Sequence, residues 1–239
     1  MKTETETWFG RALSLFRAFK EAGFNPGSVF DVGSSDSGWS YYVSRVFPAA
    51  HYDLFEPLFD RKAFYRDNTA GILIARPDIR IHKVAVGEID GTIRMGVDAS
   101  GYGASTLVTE TDATFTELAE IPMRRLDSLA LELGLPRPEL LKIDVQGGEL
   151  AVLRGSGSLL DTVQLIQVET WFLRRYGRGT PLHHEISDYL NAKGFLLVAL
   201  GDCYYGHVHE LYAADAFFAR ADLLRQLAGR LPEDSLTDN

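Results

Sequence analysis

The chain has 239 residues, a hydrophobic content of 46% and a formal net charge of -9. This length and composition suit one α/β domain with a sizeable core. The charge is acidic and no Lys/Arg cluster is longer than a pair. Both features exclude a general nucleic-acid binder, because such a protein gains its affinity by neutralising phosphates.

The only cysteine, Cys203, has no partner for an internal disulfide and fits a reducing compartment. No apolar run approaches the length of a membrane span. The first residues include Glu4 and Glu6 and lack the apolar core of a signal peptide. We therefore predict a cytoplasmic protein without a membrane span.

The first predicted element is an amphipathic helix from Thr7 to Phe24, in which apolar residues recur at helical spacing. It ends at Asn25-Pro26-Gly27, a strong turn signal. We expect this helix to pack on a sheet; the alternative is a lid over a ligand. Residues 1–28 are thus predicted to form a helical extension, and residues 29–239 a single ligand-binding domain.

The stretch Val29–Ser40 organises the rest of the chain. An apolar run leads through an aspartate into a loop of Gly, Ser and Asp, and an apolar-periodic segment follows from Trp39 to Phe47. This order predicts a strand, a tight turn and a helix. Gly33 permits positive φ or the close approach of a ligand, and the N–H groups at the helix start face that ligand.

The spacing of this turn separates three ligand classes. A dinucleotide fingerprint requires a glycine where Ser35 stands, and a P-loop requires a lysine where Trp39 stands after Gly33 and Gly38. S-adenosylmethionine carries no phosphate and requires neither residue. Asp31-x-Gly33 supplies the acceptor and the tight turn that it needs, although an ordinary strand–helix turn without a ligand remains an alternative.

A second strand, His51–Glu56, ends in an acidic residue about 20 residues after the glycine turn. In doubly wound folds such a residue accepts hydrogen bonds from ribose hydroxyls. Glu56 therefore predicts a bound nucleoside, but NAD and S-adenosylmethionine would satisfy it equally.

Further elements follow in order. Phe59–Ala70 reads as a helix, and Ile79–Gly87 reads as a third strand and its exit turn, where residues would flank an adenine. Asp90-Gly91 is a hairpin signal between two β-like runs. Gly101–Leu107, rich in Gly, Ser and Thr, is either a surface loop or a cover over the site.

A second informative stretch begins with the buried strand Leu140–Asp144. A glycine pair, Gly147-Gly148, then turns the chain into a short helix that begins with Glu149. Ligands bind at this edge of an open α/β sheet. Asp144 could attract a sulfonium cation, position an acceptor hydroxyl or take its proton, whereas Glu149 could instead only complement the helix dipole.

The C-terminal third begins with the strand Val163–Glu169, and a helix follows over Leu182–Lys193. Phe195–Leu200 and Glu210–Ala219 are strand-like and fit an antiparallel pair that closes the sheet, with Gly201–Val208 between them. A short helix is predicted from Ala221.

Several of these segments together resemble the FkbM-type methyltransferase family. The matching segments are Asp31-Val-Gly-x-x-x-x-Gly-x-Ser40, Phe55-Glu56-Pro57, Val84-Ala85-Val86-Gly87, Leu126-Asp127-Ser128-Leu129, Lys142-Ile-Asp-Val-x-Gly147-x-Glu149, Leu153-x-Gly155 and Glu169. The resemblance runs from about residue 29 to residue 170, and the block from Lys142 to Glu149 is its most specific part. Ser34-Ser35 depart from the commoner Ala-Asn, and Gln146 stands where the family often has Glu.

The resemblance implies a class I, Rossmann-like methyltransferase with a seven-stranded, mostly parallel sheet and helices on both faces. It implies S-adenosylmethionine as the cofactor and a small-molecule acceptor, since family members often methylate hydroxyls on sugars or natural products. The alternatives are a non-catalytic nucleoside-binding relative and a nicotinamide-dependent oxidoreductase, which the glycine spacing disfavours.

Site residues follow from these motifs. Asp144 and Glu169 are the predicted catalytic residues, with a histidine from 183–184 or 207–209 as an outside choice. No metal is predicted, because no histidine spacing matches a zinc site. The predicted cofactor-binding residues are Asp31, Gly33, Ser34, Ser35, Gly38, Ser40, Glu56, Pro57, Ala85, Val86 and Asp144.

Overall fold

The computed structural model of the chain describes residues 9–98, 104–107 and 117–227. Its α-helices are α1 (Gly10–Glu21), α2 (Gly38–Val46), α3 (Ala63–Ala75), α4 (Leu126–Glu132), α5 (Glu149–Gly155), α6 (His183–Asn191) and α7 (Ala221–Leu227), with a 3-10 helix over Gly157–Asp161. Its strands are β1 (Ser28–Val32), β2 (His51–Phe55), β3 (Arg80–His82), β4 (Ala85–Val86), β5 (Gly91–Val97), β6 (Glu117–Arg124), β7 (Leu140–Ile143), β8 (Leu165–Trp171), β9 (Phe195–Tyr205) and β10 (Leu211–Arg220).

Seven strands form the main sheet in the order β3-β2-β1-β7-β8-β10-β9. In this sheet β3, β2, β1, β7 and β8 pair in parallel with their neighbours in that order. Strand β10 runs antiparallel to both of its neighbours, β8 and β9. The predicted seven-stranded, mostly parallel sheet is confirmed, including the antiparallel pair that closes it.

Helices cover both faces of this sheet, and the strands are apolar for that reason. All five residues of β1 are buried. Phe30 and Val32 pack with α4, α5 and α6 on one face. Val29 packs with α1, α2 and α7 on the other.

Helix α1 is part of the second of these cores. Phe16 is fully buried and makes edge-to-face contacts with Trp39 and Phe217, with ring centroids 5.7 and 5.5 Å apart. Edge-to-face pairs of this kind add stabilisation beyond the buried area. The predicted packing of this helix on the sheet is confirmed, although its start at Thr7 lies outside the described residues.

The segment Ile79–Gly87, predicted as a third strand and its exit turn, contains the third strand β3 and, in addition, a second short strand, β4, that was not predicted. The Val84 N–H donates to the His82 carbonyl across 3.0 Å, and this turn separates β3 from β4. Strand β3 pairs with β2, whereas β4 pairs with β6 in a second, three-stranded sheet of order β4-β6-β5.

The Asp90-Gly91 hairpin is wrong, because β6 lies between the two strands that it would join. The Asp90 carboxylate instead accepts the backbone N–H of Arg125 at 2.7 Å. Strand β9 is also longer than predicted and extends through Tyr205. Of Gly101–Leu107 the structure describes 104–107, where Ser105 exchanges two backbone hydrogen bonds with Gly96.

Two glycine motifs from distant parts of the sequence meet beside α5. A Cβ added to Gly155 would lie 1.9 Å from the Gly87 carbonyl oxygen. The end of α5 therefore rests directly on the turn that follows β4.

Among the described residues, no helix is both long enough and apolar enough to cross a membrane.

We expect Gly155→Ala to lower the free energy of unfolding by about 1–3 kcal/mol, because the added methyl group forces the two backbones apart. Gly71→Ala is the matched control, since a Cβ there meets nothing within 4 Å in α3. That variant should gain roughly 0.5–1 kcal/mol. Urea unfolding of both variants measures the difference; two variants of equal stability would contradict the close approach.

Candidate functional site

A cavity of about 490 Å³, here called the main cavity, opens at the carboxyl ends of β1, β2, β7 and β8. Residues from the small sheet and from the segment after β8 complete its walls. The predicted site residues that line it are Gly33, Ser35, Glu56, Pro57, Asp144 and Glu169.

Two further spaces adjoin the main cavity. An apolar cleft of about 50 Å³ shares Gly33 and Pro57 with it and is lined by Ala85 and Val86. A side cavity of about 530 Å³ lies on the α1 face, where Phe9, Ser34 and Gly38 line it. Asp31 and Ser40 line none of these spaces.

Asp31 and Ser40 lie behind the turn, next to a buried lysine. The Ser40 hydroxyl donates to Asp31 Oδ2 at 2.7 Å. Lys142 Nζ lies 3.1 Å from Asp31 Oδ1 and 3.6 Å from Asp144 Oδ2, and it donates to the Gly33 carbonyl oxygen at 2.6 Å. Burial lowers the pKa of Lys142, but the carboxylates of Asp31 and Asp144 outweigh this effect and raise it above its ordinary value.

Gly33 fits this arrangement because it has no side chain. Its φ is +77°, and a Cβ there would lie 1.8 Å from the Asp144 carbonyl oxygen. Any other residue would be strained in this left-handed region and would also push the end of β7 away. The turn after β1 and the end of β7 are therefore in direct backbone contact.

Glu56 connects the same turn to the end of β2. Its two carboxylate oxygens accept backbone N–H groups, from Ser35 at 2.9 Å and from Leu58 at 2.8 Å. Pro57 has no N–H, so the next donor along the chain is the one used. Burial raises the pKa of Glu56 to about 7 despite these two hydrogen bonds.

Gln146 holds the two predicted catalytic carboxyl groups together. Its Nε2 donates to Asp144 Oδ1 at 2.8 Å and to Glu169 Oε2 at 3.0 Å. Its Oε1 accepts the hydroxyl of Tyr176. Burial, followed by repulsion from the Asp144 carboxylate, raises the pKa of Glu169 well above its usual range.

Glu149 stabilises the backbone turn that precedes α5. It is fully buried, and its Oε1 accepts the N–H groups of Val145 at 3.2 Å and Gly147 at 2.9 Å. Its Oε2 is buried without a hydrogen-bond partner among the described residues. Burial raises the pKa of Glu149 to about 7.

The histidines lie away from these three spaces. His183 contacts the hydroxyls of Thr170 and Ser187 and stacks on Phe172, and burial lowers its pKa. His209 occupies the turn between β9 and β10 with φ +62°. Within the described ranges, no group of three or more His, Cys, Asp or Glu side chains could hold a metal ion.

An aromatic wall lines the main cavity and is formed by Trp171, Tyr176, Tyr204 and Tyr212. Trp171 stacks on Tyr212 at 6.2 Å and meets Tyr176 edge-on at 5.2 Å, while Tyr204 stacks on Tyr212 at 6.3 Å. The run of aromatic residues directly after Glu169 was the available signal for this wall.

The sequence also predicted no role for Asp215. It lines the side cavity from β10, where burial and then the Asp144 carboxylate raise its pKa to about 7. Its signal was a lone carboxylate within the otherwise apolar strand residues Leu211–Ala219.

Comparison with known proteins assigns the family. The family model described as the methyltransferase FkbM domain matches residues 31–197. The chain therefore belongs to the FkbM methyltransferase family, as its motifs predicted. Family and fold together imply the use of S-adenosylmethionine.

Two curated relatives are similar to this chain. Methyltransferase sdnD of Sordaria araneosa is 25% identical over 201 residues, covering 70% of this chain and 73% of that protein. The AMB antimetabolite synthetase AmbE of Pseudomonas aeruginosa is 28% identical over 205 residues, covering 70% of this chain. That match spans only 9% of AmbE.

A solved structure supports the fold. Methyltransferase FkbM from Methylobacillus flagellatus KT superposes with a TM-score of 0.52 at 16% identity, covering 80% of this chain and 43% of that chain. At this identity the likeness is one of architecture.

The raised pKa of Glu149 predicts a pH dependence of stability. The pKa of Glu149 is about 7 in the folded protein and 4.5 when the group is free in water. Its contribution to stability is complete below pH 4.5 and is lost as the pH rises through about 7. Each unit corresponds to about 1.4 kcal/mol. Glu149→Gln should therefore melt at a higher temperature than the wild type at about pH 8 and show a smaller fall from about pH 5.

Glu21→Gln is the matched control, because Glu21 is exposed at the end of α1. It should leave the pH profile of the melting temperature unchanged. Calorimetry across the pH range compares the three proteins. A Glu149→Gln profile parallel to that of the wild type would show that this carboxyl group does not titrate during unfolding.

Proposed function

We propose that the protein transfers a methyl group from S-adenosylmethionine to a hydroxyl of a small-molecule acceptor, such as a sugar or another natural product. The observation that carries this proposal is the carboxyl pair of Asp144 and Glu169. Gln146 holds the pair in the same cavity as the nucleoside candidate Glu56. We also propose a cytoplasmic location, in keeping with the single cysteine, and a single methyltransferase domain over residues 29–239.

The residues present fit the cofactor. The apolar cleft beside Ala85 and Val86 suits an adenine, and Glu56 offers carboxylate oxygens to ribose hydroxyls at the end of β2. The hydroxyls of Ser34 and Ser35 are buried without a hydrogen-bond partner among the described residues. Buried polar atoms of this kind are normally satisfied, so these two hydroxyls suit the polar amino-acid end of a ligand.

When bound, S-adenosylmethionine supplies a methyl group on a sulfonium, ready for in-line displacement. This chain must align the acceptor and exclude water, and alignment alone can contribute roughly 7–11 kcal/mol. Asp144 is the more exposed carboxylate, with a side chain 37% accessible, and it orients the acceptor hydroxyl. Glu169 accepts the proton, because its raised pKa makes its ionised form the stronger base.

The predicted site residues Asp31, Ser40 and Gly38 do not line the main cavity. Asp31 and Ser40 position Lys142, which in turn fixes the Gly33 carbonyl and the Asp144 carboxylate. Gly38 begins α2, and its N–H donates to Asp36 Oδ1 at 3.1 Å. These residues set the shape of the turn that faces the ligand.

Two experiments separate this proposal from its rivals. Calorimetry should detect binding of S-adenosylmethionine and none of NAD; the reverse result would indicate an oxidoreductase. A methyl-transfer assay over a panel of sugars and hydroxylated natural products should then identify an acceptor. Cofactor binding without transfer to any acceptor would favour a non-catalytic relative.

Glu56→Gln should weaken the binding of S-adenosylmethionine. The amide has one acceptor oxygen, so it cannot accept both backbone N–H groups and still bind a ribose hydroxyl as the carboxylate does. Each hydrogen bond to a charged group contributes roughly 1.5–3 kcal/mol. The expected loss is about tenfold or more in the dissociation constant. Calorimetry on the folded variant measures it, with Glu21→Gln as the matched exposed control. Unchanged affinity would remove Glu56 from the nucleoside site.

Asp144→Asn should lower turnover by roughly 10²–10⁴, because the amide no longer holds the acceptor hydroxyl with a charged oxygen for proton transfer to Glu169. The amide still offers an oxygen to Gln146 Nε2, and Asp31 still pairs with Lys142, so the fold should persist. The melting temperature should fall modestly, because the charge 3.6 Å from Lys142 Nζ is lost.

Asp67→Asn, on the exposed face of α3, is the matched control. Turnover is measured with the acceptor from the panel or by slow cofactor hydrolysis. Near-normal turnover would leave Glu169 as the sole catalytic carboxyl group.

A further inference from the structure

Arg175 is the cationic side chain that lines the main cavity among the described residues. Its guanidinium carbon lies 4.4 Å from the ring centroid of Tyr212, over the face of that ring. The other charged side chains that line this cavity are the carboxyl groups of Glu56, Asp144 and Glu169. The cavity thus has an acidic floor at the strand ends and one positive group in the segment that follows β8.

The neighbouring arginine shows how different this position is. Arg174 forms an ion pair with Glu185 at 2.8 Å and donates to backbone carbonyls. Arg175 makes no side-chain hydrogen bond or ion pair with any described residue, and its guanidinium contacts the Tyr212 ring. Stacking orients the planar guanidinium and leaves its five N–H donors free for a ligand.

A second donor lies in the same wall. Trp171 is 4% exposed and lines the main cavity, and its indole Nε1 is buried without a hydrogen-bond partner among the described residues. A buried N–H that stays unpaired costs stability, so such a donor is normally paired with protein, water or a ligand. Trp171 also stacks on the same Tyr212 ring that carries Arg175.

We infer that the wall of Trp171, Tyr212 and Arg175 binds a carboxylate on the acceptor, so that the protein methylates small hydroxy acids in preference to neutral alcohols. The inference rests on the proposed function, since it concerns the acceptor half of the same cavity. The reacting hydroxyl lies at Asp144 and Glu169, away from the guanidinium. A molecule that carries an anionic group and a hydroxyl satisfies both ends, because a guanidinium binds carboxylates through paired N–H donors.

The test uses two pairs of probes in which a carboxylate stands in place of a hydroxymethyl group: D-glucuronate against D-glucose, and 4-hydroxybenzoate against 4-hydroxybenzyl alcohol. Binding is measured by saturation-transfer NMR and calorimetry on the protein loaded with S-adenosylhomocysteine. In each pair we expect the acid to bind about tenfold more tightly than its neutral partner, and added salt to reduce this ratio.

Arg175→Gln should bring the ratio within each pair close to one and leave the affinity for S-adenosylhomocysteine unchanged. Arg178→Gln is the matched control, because Arg178 is exposed in the same segment, makes no side-chain ion pair with the described residues and does not line the cavity. That control should keep the wild-type ratio. Arg175→Lys should retain part of it, since the charge remains but the planar stack is lost.

Other outcomes overturn the inference. If the wild type binds acids no better than neutral partners, including the case in which none of the probes binds, the wall does not recognise a carboxylate. If Arg175→Gln weakens S-adenosylhomocysteine instead, the guanidinium holds the amino-acid end of the cofactor. A wild type that fails to bind S-adenosylhomocysteine would refute the proposed function itself, whereas binding without acid preference refutes only this inference.

Discussion

The buried ammonium group of Lys142 is the interaction on which the site depends. A charge removed from water is costly unless it is paired, and removing one partner of a buried pair is strongly destabilising. Lys142 is paired with Asp31 and Asp144 and donates to the carbonyl of Gly33. Because Gly33 has no Cβ, its backbone rests on that of Asp144. The glycine turn and the end of β7 are thus one unit, and Ser40 holds Asp31 in place beneath them.

Much of the fold could be predicted because its signals are local. Apolar runs, glycine turns and helical periodicity predicted most strands and helices, and the family motifs implied a seven-stranded, mostly parallel sheet. The break inside Ile79–Gly87 carries only a weak local signal, because no Gly or Pro precedes Gly87 and only the adjacent polar residues His82-Lys83 interrupt the apolar alternation. It exists because β4 leaves the main sheet to pair with Met123 and Arg124, far along the chain. Strand β9 likewise extends past Gly201 because β10 offers it a partner as far as Tyr205.

The candidate site likewise contains features that local sequence signals predict and features that depend on distant contacts. Parallel strands bring their carboxyl ends to one edge of a sheet, so Glu56, Asp144 and Glu169 could be expected together, and the structure brings them to one cavity. The contact between the last two depends on Gln146, whose backbone has φ +56° although it is not a glycine. No sequence rule predicts that conformation or its amide bridge. The stack of Arg175 on a ring of β10 joins segments that no motif connects.

The charges of the cavity connect ligand binding to proton movement. Burial raises the pKa of Glu56, Glu149, Glu169 and Asp215, so these carboxyl groups favour their neutral forms, although the charge of Lys142 lowers the pKa of Glu56, Glu169 and Asp215. A cation placed among them favours the ionised forms, since opposite charges lower a carboxyl pKa. Binding of a sulfonium is therefore linked to proton release. On the proposed function, a bound sulfonium thus favours the ionised form of Glu169, which is the form that accepts the proton. Lys142 alone does not return these raised pKa values to their ordinary range, because its charge is already paired with Asp31.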